Sequence, residues 1–123
     1  MNSSFDFQSR SDIIYGNDTE CYYIYDDGAD ECISCLFIEP TPKEWLVKGR
    51  LIIDCATKKE YRRMGYMRRL LQYVVSAQRL RCVPTFIMVK KDAPHIAEFY
   101  RSVGFVDYAD GGELITLILS SRK

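Results

Sequence analysis

Between Leu51 and Leu71 the chain reads LIIDCATKKEYRRMGYMRRLL, an apolar strand-like run joined through a basic, glycine-containing turn to an amphipathic helix. This segment limits the fold tightly, because it fixes a strand, its exit and a helix start together. The first amides of a helix lack intrahelical acceptors and lie at the positive end of its dipole. A turn held open by Gly65 brings them within reach of phosphate, and arginines at 62, 63, 68 and 69 surround that turn. The same residues also suit a plain strand-to-helix corner with a solvated basic face, since short glycine motifs match often.

With 123 residues, 47% of them hydrophobic, the chain is long enough for one core and short for two domains. No run approaches the roughly 18 apolar residues of a membrane span. The opening MNSSFDFQSR lacks the apolar stretch of a secretory signal, so a cytoplasmic protein without a membrane partner is expected. The five cysteines, at 21, 32, 35, 55 and 82, sit mostly in apolar runs and are expected to be small buried hydrophobes. Cys32 and Cys35 form a CxxC, but His95 is the only histidine and there is no second CxxC. A tetrahedral zinc site is thus short of ligands, and no metal is expected. Redox chemistry is disfavoured too, because a strand offers the pair no helix N-terminus to lower a thiol pKa.

The formal charge is zero, yet the charges are segregated. From Met1 to Glu31 eight acids face one base, Arg10; from Lys58 to Arg81 eight bases face one acid, Glu60. Two readings stand: a docking field for a polyanion, or two regions that neutralise each other in the fold.

Cys21 to Asp26 and Glu31 to Glu39 are rich in aromatic and β-branched residues, and the turn residues Asp27 to Asp30 make them a hairpin. Pro40 and Pro42 end the second strand. A third strand is expected from Trp45 to Ala56, bent at Gly49. Met67, Leu70, Leu71, Val74 and Val75 then repeat at helical spacing, which predicts a helix from Met64 to Leu80. Thr85 to Val89 suits a central strand covered on both faces. Pro94 opens a second helix carrying Ile96, Phe99, Tyr100 and Val103, and Gly104 stops it. Phe105 to Tyr108 and Glu113 to Leu119 close the chain as a hairpin around Asp110-Gly111-Gly112. The order is β-β-β-α-β-α-β-β, an α+β fold with one mixed sheet and two helices, and the polar first twenty residues are expected to be partly irregular.

This order, with its motifs, resembles the GNAT superfamily of N-acetyltransferases. Their coenzyme A signature, R/Q-x-x-G-x-G/A at a helix start, is filled by Arg62-Arg63-Met64-Gly65-Tyr66 and departs at Met67. EYRRMGYMRRLL is similar to the family's frequent EYRGKGIGRALL. The family's Y-x-x-x-G-F also appears, as Tyr100-Arg101-Ser102-Val103-Gly104-Phe105. The resemblance covers about Cys21 to Leu119 and implies a GNAT-like acyl-CoA N-acyltransferase fold, residues 1–123 forming a single N-acetyltransferase-like domain.

The resemblance implies acetyl-CoA as co-substrate and an amine, on a small molecule or a protein, as acceptor. Amides from Arg63 through Met64, Gly65 and Tyr66 to Met67 would cradle the pyrophosphate, with Arg62 and Arg68 adding charge. Pantetheine would pair along Cys55, Ala56 and Thr57, the Thr57 amide polarising the thioester carbonyl. Tyr100 would be the general acid for the departing thiolate, although its apolar stripe also fits a core tyrosine. Transfer in this family is usually direct, in a ternary complex. A lysine-like amine must lose its proton before attack, which costs about 4.6 kcal/mol at pH 7, against about 1 for an α-amine. A base therefore helps, and Asp54 and Glu44 are the candidates. Strict alternation places Asp54 on one face with Ile52 and Ala56. The family's histone-acetylating branch has a glutamate where this chain has Leu51, and the asparagine often found seven residues before the tyrosine is Ala93 here. Members usually carry two N-terminal helices that wall the acceptor site, where this chain has about twenty residues before Cys21.

Two other functions remain in view. One is a non-catalytic GNAT-fold module binding coenzyme or protein. The other is a basic nucleic-acid binder, disfavoured because Arg62 and Arg63 belong to the coenzyme turn and no nucleic-acid motif accompanies them. Exposed strand edges of such a fold would allow a homodimer.

Overall fold

The computed structural model describes residues 5–11, as backbone only, and residues 18–121. The elements are β1 (Phe5–Ser11), β2 (Glu20–Asp26), β3 (Glu31–Pro40), β4 (Arg50–Thr57), α1 (Tyr66–Arg81), β5 (Thr85–Lys90), α2 (Pro94–Ser102), β6 (Phe105–Gly111) and β7 (Leu114–Leu119). They form one seven-stranded sheet in the order β1-β2-β3-β4-β5-β7-β6. Every pair is antiparallel except β4 with β5. The expected order holds with one addition. Part of the stretch read as irregular is β1, which pairs with β2 from Phe5 opposite Asp26 to Ser11 opposite Glu20. Its polar sequence hid it, because an edge strand is held by backbone bonds and needs no strong apolar alternation.

Both helices pack on one face of the sheet. Leu70, Leu71 and Val74 of α1 and Ala97 and Tyr100 of α2 join a single core with Ile24, Leu36, Ile38, Ile52 and Leu117. The parallel β4 and β5 are joined through α1, a connection that lays the helix on the sheet. Each fully buried leucine or valine in that layer contributes roughly 1.5–3 kcal/mol. The helical spacing of α1 is as read, with Gln78 added to its buried face. Its amide is accommodated by polar partners, donating to the Tyr22 hydroxyl at 3.4 Å and accepting from the Thr85 hydroxyl at 3.5 Å.

The opposite face is only partly covered. The third strand starts at Arg50 rather than Trp45, because residues 41–49 form a loop across this face. Thr41 and Gly49 close the loop, the Thr41 amide donating to the Gly49 carbonyl at 3.0 Å and the Gly49 amide to Thr41 Oγ1 at 3.1 Å. Gly49 is required for close approach: a Cβ there would lie 2.3 Å from the Pro84 carbonyl oxygen. Trp45 then stacks edge-on against Phe86, which also meets Tyr108, at centroid distances of 5.6 and 5.1 Å. Beyond that cluster Met88 stays 38% exposed, so β5 is not covered on both faces as its apolar run implied.

The segregated charges partly neutralise each other. Arg81 donates to both carboxylate oxygens of Glu20 at 2.9 and 2.7 Å, and Lys58 pairs with Glu31. Among the described residues no carboxylate pairs with Arg62, Arg63 or Arg68.

Candidate active site

β4 and β5 pair only at Arg50 with Thr85, Leu51 with Phe86 and Ile52 with Ile87, although both strands run on. The divergence coincides with a bulge in β4. Ile53 faces Phe37 and Ala56 faces Cys35, so Asp54 and Cys55 together oppose Leu36. Asp54 takes the left-handed conformation there, with φ 53°. The separating strands leave a cleft of about 420 Å³, lined by Asp54 and Cys55 from β4, Met88 and Lys90 from β5, and Ile96 and Tyr100 from α2. A larger hollow, about 720 Å³, lies by Pro84 and Ser120 but is lined without a carboxylate, histidine or tyrosine.

The bulge corrects the expected facing of β4. Ile52 pairs with buried Ile38, whereas Ala56 pairs with half-buried Cys35, so Ile52 and Ala56 lie on opposite faces. Asp54 is the exposed residue at the switch between them. Cys55 packs against the helix-side core. Strict alternation fails because one extra residue resets it.

Where β4 ends, the chain makes a short 3₁₀ turn, Lys59–Tyr61, before α1. Arg62 folds back, its Nε donating to the Thr57 carbonyl at 3.0 Å, which ties the turn to the strand end. Ser34 and Thr57 join their hydroxyls at 2.8 Å across β3 and β4. Arg63 and Gly65 both have positive φ, 63° and 84°. Gly65 is the N-cap of α1 and has no side chain to cap the helix. The first bond into the helix runs from the Arg69 amide to the Gly65 carbonyl, 3.0 Å, so the preceding helical amides have no acceptor within α1. Nothing lies within 4 Å of where a Gly65 Cβ would stand, an open approach suited to a pyrophosphate. Met67 does not obstruct it, since its side chain turns inward and packs against the core. Arg68 lies over the Phe99 ring at 5.1 Å and thereby links the turn to α2.

Tyr100 is 7% exposed, wedged between Phe99 and Phe105 at 5.4 and 6.0 Å. Its hydroxyl lies close enough to the Cys55 thiol for each to perturb the other's ionisation. Burial, then the neighbouring Cys55, pushes the phenol above its ordinary range. Burial likewise raises the Cys55 thiol to about 11, against the pull of Tyr100. Both groups are therefore protonated at neutral pH, and the phenol remains a proton donor well into alkali.

The structure brings Asp54, Cys55 and Tyr100 to one cleft. Arg62, Arg63, Met64, Gly65, Tyr66, Met67 and Arg68 occupy the turn and helix start that follow β4. Ala93 caps α2 at the cleft. Glu44 is exposed in the 41–49 loop and is not part of the cleft lining. His95 is exposed at the start of α2. The Cys55 contact with Tyr100 escaped sequence reasoning, which saw in Cys55 only backbone for pantetheine. No group of three or more potential metal ligands gathers among the described residues. No described helix is long and apolar enough to cross a membrane.

Comparison with known proteins agrees with this architecture. The sequence profile of the acetyltransferase (GNAT) domain matches residues 17–107. No curated protein matches the sequence. Among solved structures, the ribosomal-protein-S18-alanine N-acetyltransferase of Escherichia coli is 18% identical with a TM-score of 0.67, over 85% of this chain and 70% of that one. A NatC complex bound to Gag peptide and CoA is 20% identical with a TM-score of 0.61, over 80% of this chain and 69% of that one. A Desulfovibrio desulfuricans protein described as a GNAT-family acetyltransferase is 21% identical with a TM-score of 0.68, over 85% and 70%. With a family profile spanning most of its length and the same fold in these structures, the chain belongs to the GNAT acetyltransferases.

Proposed function

We propose that this protein is an acetyl-CoA-dependent N-acetyltransferase, a single domain working in the cytoplasm, which passes the acetyl group directly to an amine in a ternary complex. The observation that carries this reading is the cleft between β4 and β5 with Tyr100 in its lining and the Gly65 turn at the exit of β4. When bound, acetyl-CoA supplies the thioester acyl group. Amides from Arg63 to Met67 hold the pyrophosphate, and Arg62 and Arg68 add positive charge. The backbone of Cys55, Ala56 and Thr57 pairs with pantetheine, and the Thr57 amide stabilises the developing oxyanion. Tyr100 gives its proton to the departing sulfur.

Asp54, exposed on the bulge, is the base in this scheme. It relieves the deprotonation cost that weighs most on a lysine-like acceptor. Glu44 has no part in it. The acceptor is an amine on a small molecule or a protein, and the similarity to a protein N-acetyltransferase and a peptide-bound NatC complex supports that class.

A second reading, a coenzyme-binding module without turnover, draws on the burial of Tyr100 beside Cys55, which occupies the hydroxyl that catalysis needs. Tyr100→Phe separates the two. Acyl transfer is expected to slow by about 10²–10⁴-fold with coenzyme affinity nearly unchanged. Because the phenol is raised, the wild-type rate should not fall as pH approaches about 10, the ordinary phenol range. An unchanged rate in the variant excludes the acid role; no transfer by either protein, with coenzyme bound, favours the module.

A further inference from the structure

β3 carries a second bulge, and it creates an arrangement that the CxxC spacing alone does not imply. Ile24 of β2 faces Ser34, while the next residue, Tyr25, faces Cys32, which leaves Ile33 as an extra residue in β3. Ile33 and Ser34 both turn into the helix-side core, each 1% exposed. Cys32 and Cys35 flank them and therefore share the other face of the sheet, as residues two apart do in a regular strand. Their Cα spacing becomes roughly 6.5 Å, within the range that a disulfide spans. The Cys32 thiol donates to the Ser34 carbonyl at 3.4 Å, and the two thiols perturb each other's ionisation.

We propose that Cys32 and Cys35 are a dithiol that exchanges with low-molecular-weight disulfides and closes to an intramolecular disulfide on the face of β3 away from the helices. Access supports this, since Cys32 is exposed and Cys35 half-buried. Reactivity supports it as well. The neighbouring Cys32 thiol lowers Cys35 to about 7, whereas Cys35 and then burial hold Cys32 up. A thiol with pKa near ambient pH is the best attacking group. The helix N-terminus that this pair lacks is thus replaced by the neighbouring thiol.

The chemistry balances with an external disulfide RSSR as oxidant. The Cys35 thiolate attacks one sulfur, a Cys35–SR bond forms, the RS–SR bond breaks and RS⁻ leaves. Cys32 then loses its proton to solvent and its sulfur attacks Cys35, expelling the second RS⁻. Two protein thiols are oxidised and one disulfide is reduced to two thiols. The other cysteines suit this role less well: Cys55 is raised by burial, and Cys82 stands alone at the end of α1. Cys35 also faces Ala56 of β4 and feels the Asp54 carboxylate, which puts the dithiol beside the cleft. The inference itself does not depend on acetyl transfer.

Oxidised glutathione added to the full chain near neutral pH tests it, read by intact mass and peptide mapping. The wild-type protein should lose two hydrogens at a Cys32–Cys35 disulfide without retaining glutathione, and faster than Cys82 takes up an adduct. Cys32→Ala should trap glutathione on Cys35. A wild-type adduct at Cys35 that does not close, a disulfide to Cys21 instead, or a pair no faster than Cys82 would overturn the proposal.

Discussion

The turn from Arg62 to Met67 and the pocket around Tyr100 both depend on β4, but they are made from different materials. The turn presents backbone: two positive-φ residues, an uncapped helix start and open space at Gly65. The pocket presents side chains that meet only because a bulge redirects β4 and α2 packs against the sheet. A backbone site tolerates changes in side-chain identity if φ is preserved, as Met67 illustrates by turning inward. A side-chain site depends on each group and on the registry that delivers it.

The largest expected effect that sharpens this contrast comes from Asp54→Asn in the pocket. Losing a base should slow transfer to a lysine-like amine by about 10²-fold or more and transfer to an α-amine far less, because their deprotonation costs differ by about 3.6 kcal/mol. Equal slowing of both acceptors, measured as kcat/KM side by side, would remove Asp54 from proton transfer.

A somewhat smaller effect is expected at the turn. Gly65→Val puts a β-branched residue at φ 84°, a strain of about 1–3 kcal/mol, hence a roughly 5- to 150-fold loss of acetyl-CoA affinity if the turn deforms to relieve it. Titration calorimetry reads this directly. Unchanged affinity would mean that the turn does not hold the coenzyme.

The same division explains what the sequence disclosed. Helical periodicity, Gly65, Pro94 and Gly104 are local signals, so both helices and the basic turn were legible to within two residues of their ends. The CoA-like motif and the Tyr100-to-Phe105 motif were legible for the same reason. Bulges are not local signals. The two at Asp54 and Ile33 arise from pairing with neighbouring strands, and with them went the facing of Ala56 and the pairing of Cys32 with Cys35. The expectation of buried cysteines fails at Cys32 and Cys82, which are exposed, while Cys21, Cys35 and Cys55 are half-buried. Gln78 was equally hidden, because its burial depends on the hydroxyls of Tyr22 and Thr85 on distant strands.

Thermal unfolding of the wild-type chain with and without acetyl-CoA, run beside Gly65→Val, tests the central claim most directly. At ~100 times its Kd the coenzyme should stabilise the wild type by about 2.7 kcal/mol, a rise in Tm of several degrees, and the variant by less at the same concentration. A wild-type Tm that does not move at saturating acetyl-CoA would contradict the assignment of the β4 cleft and the Gly65 turn to coenzyme binding.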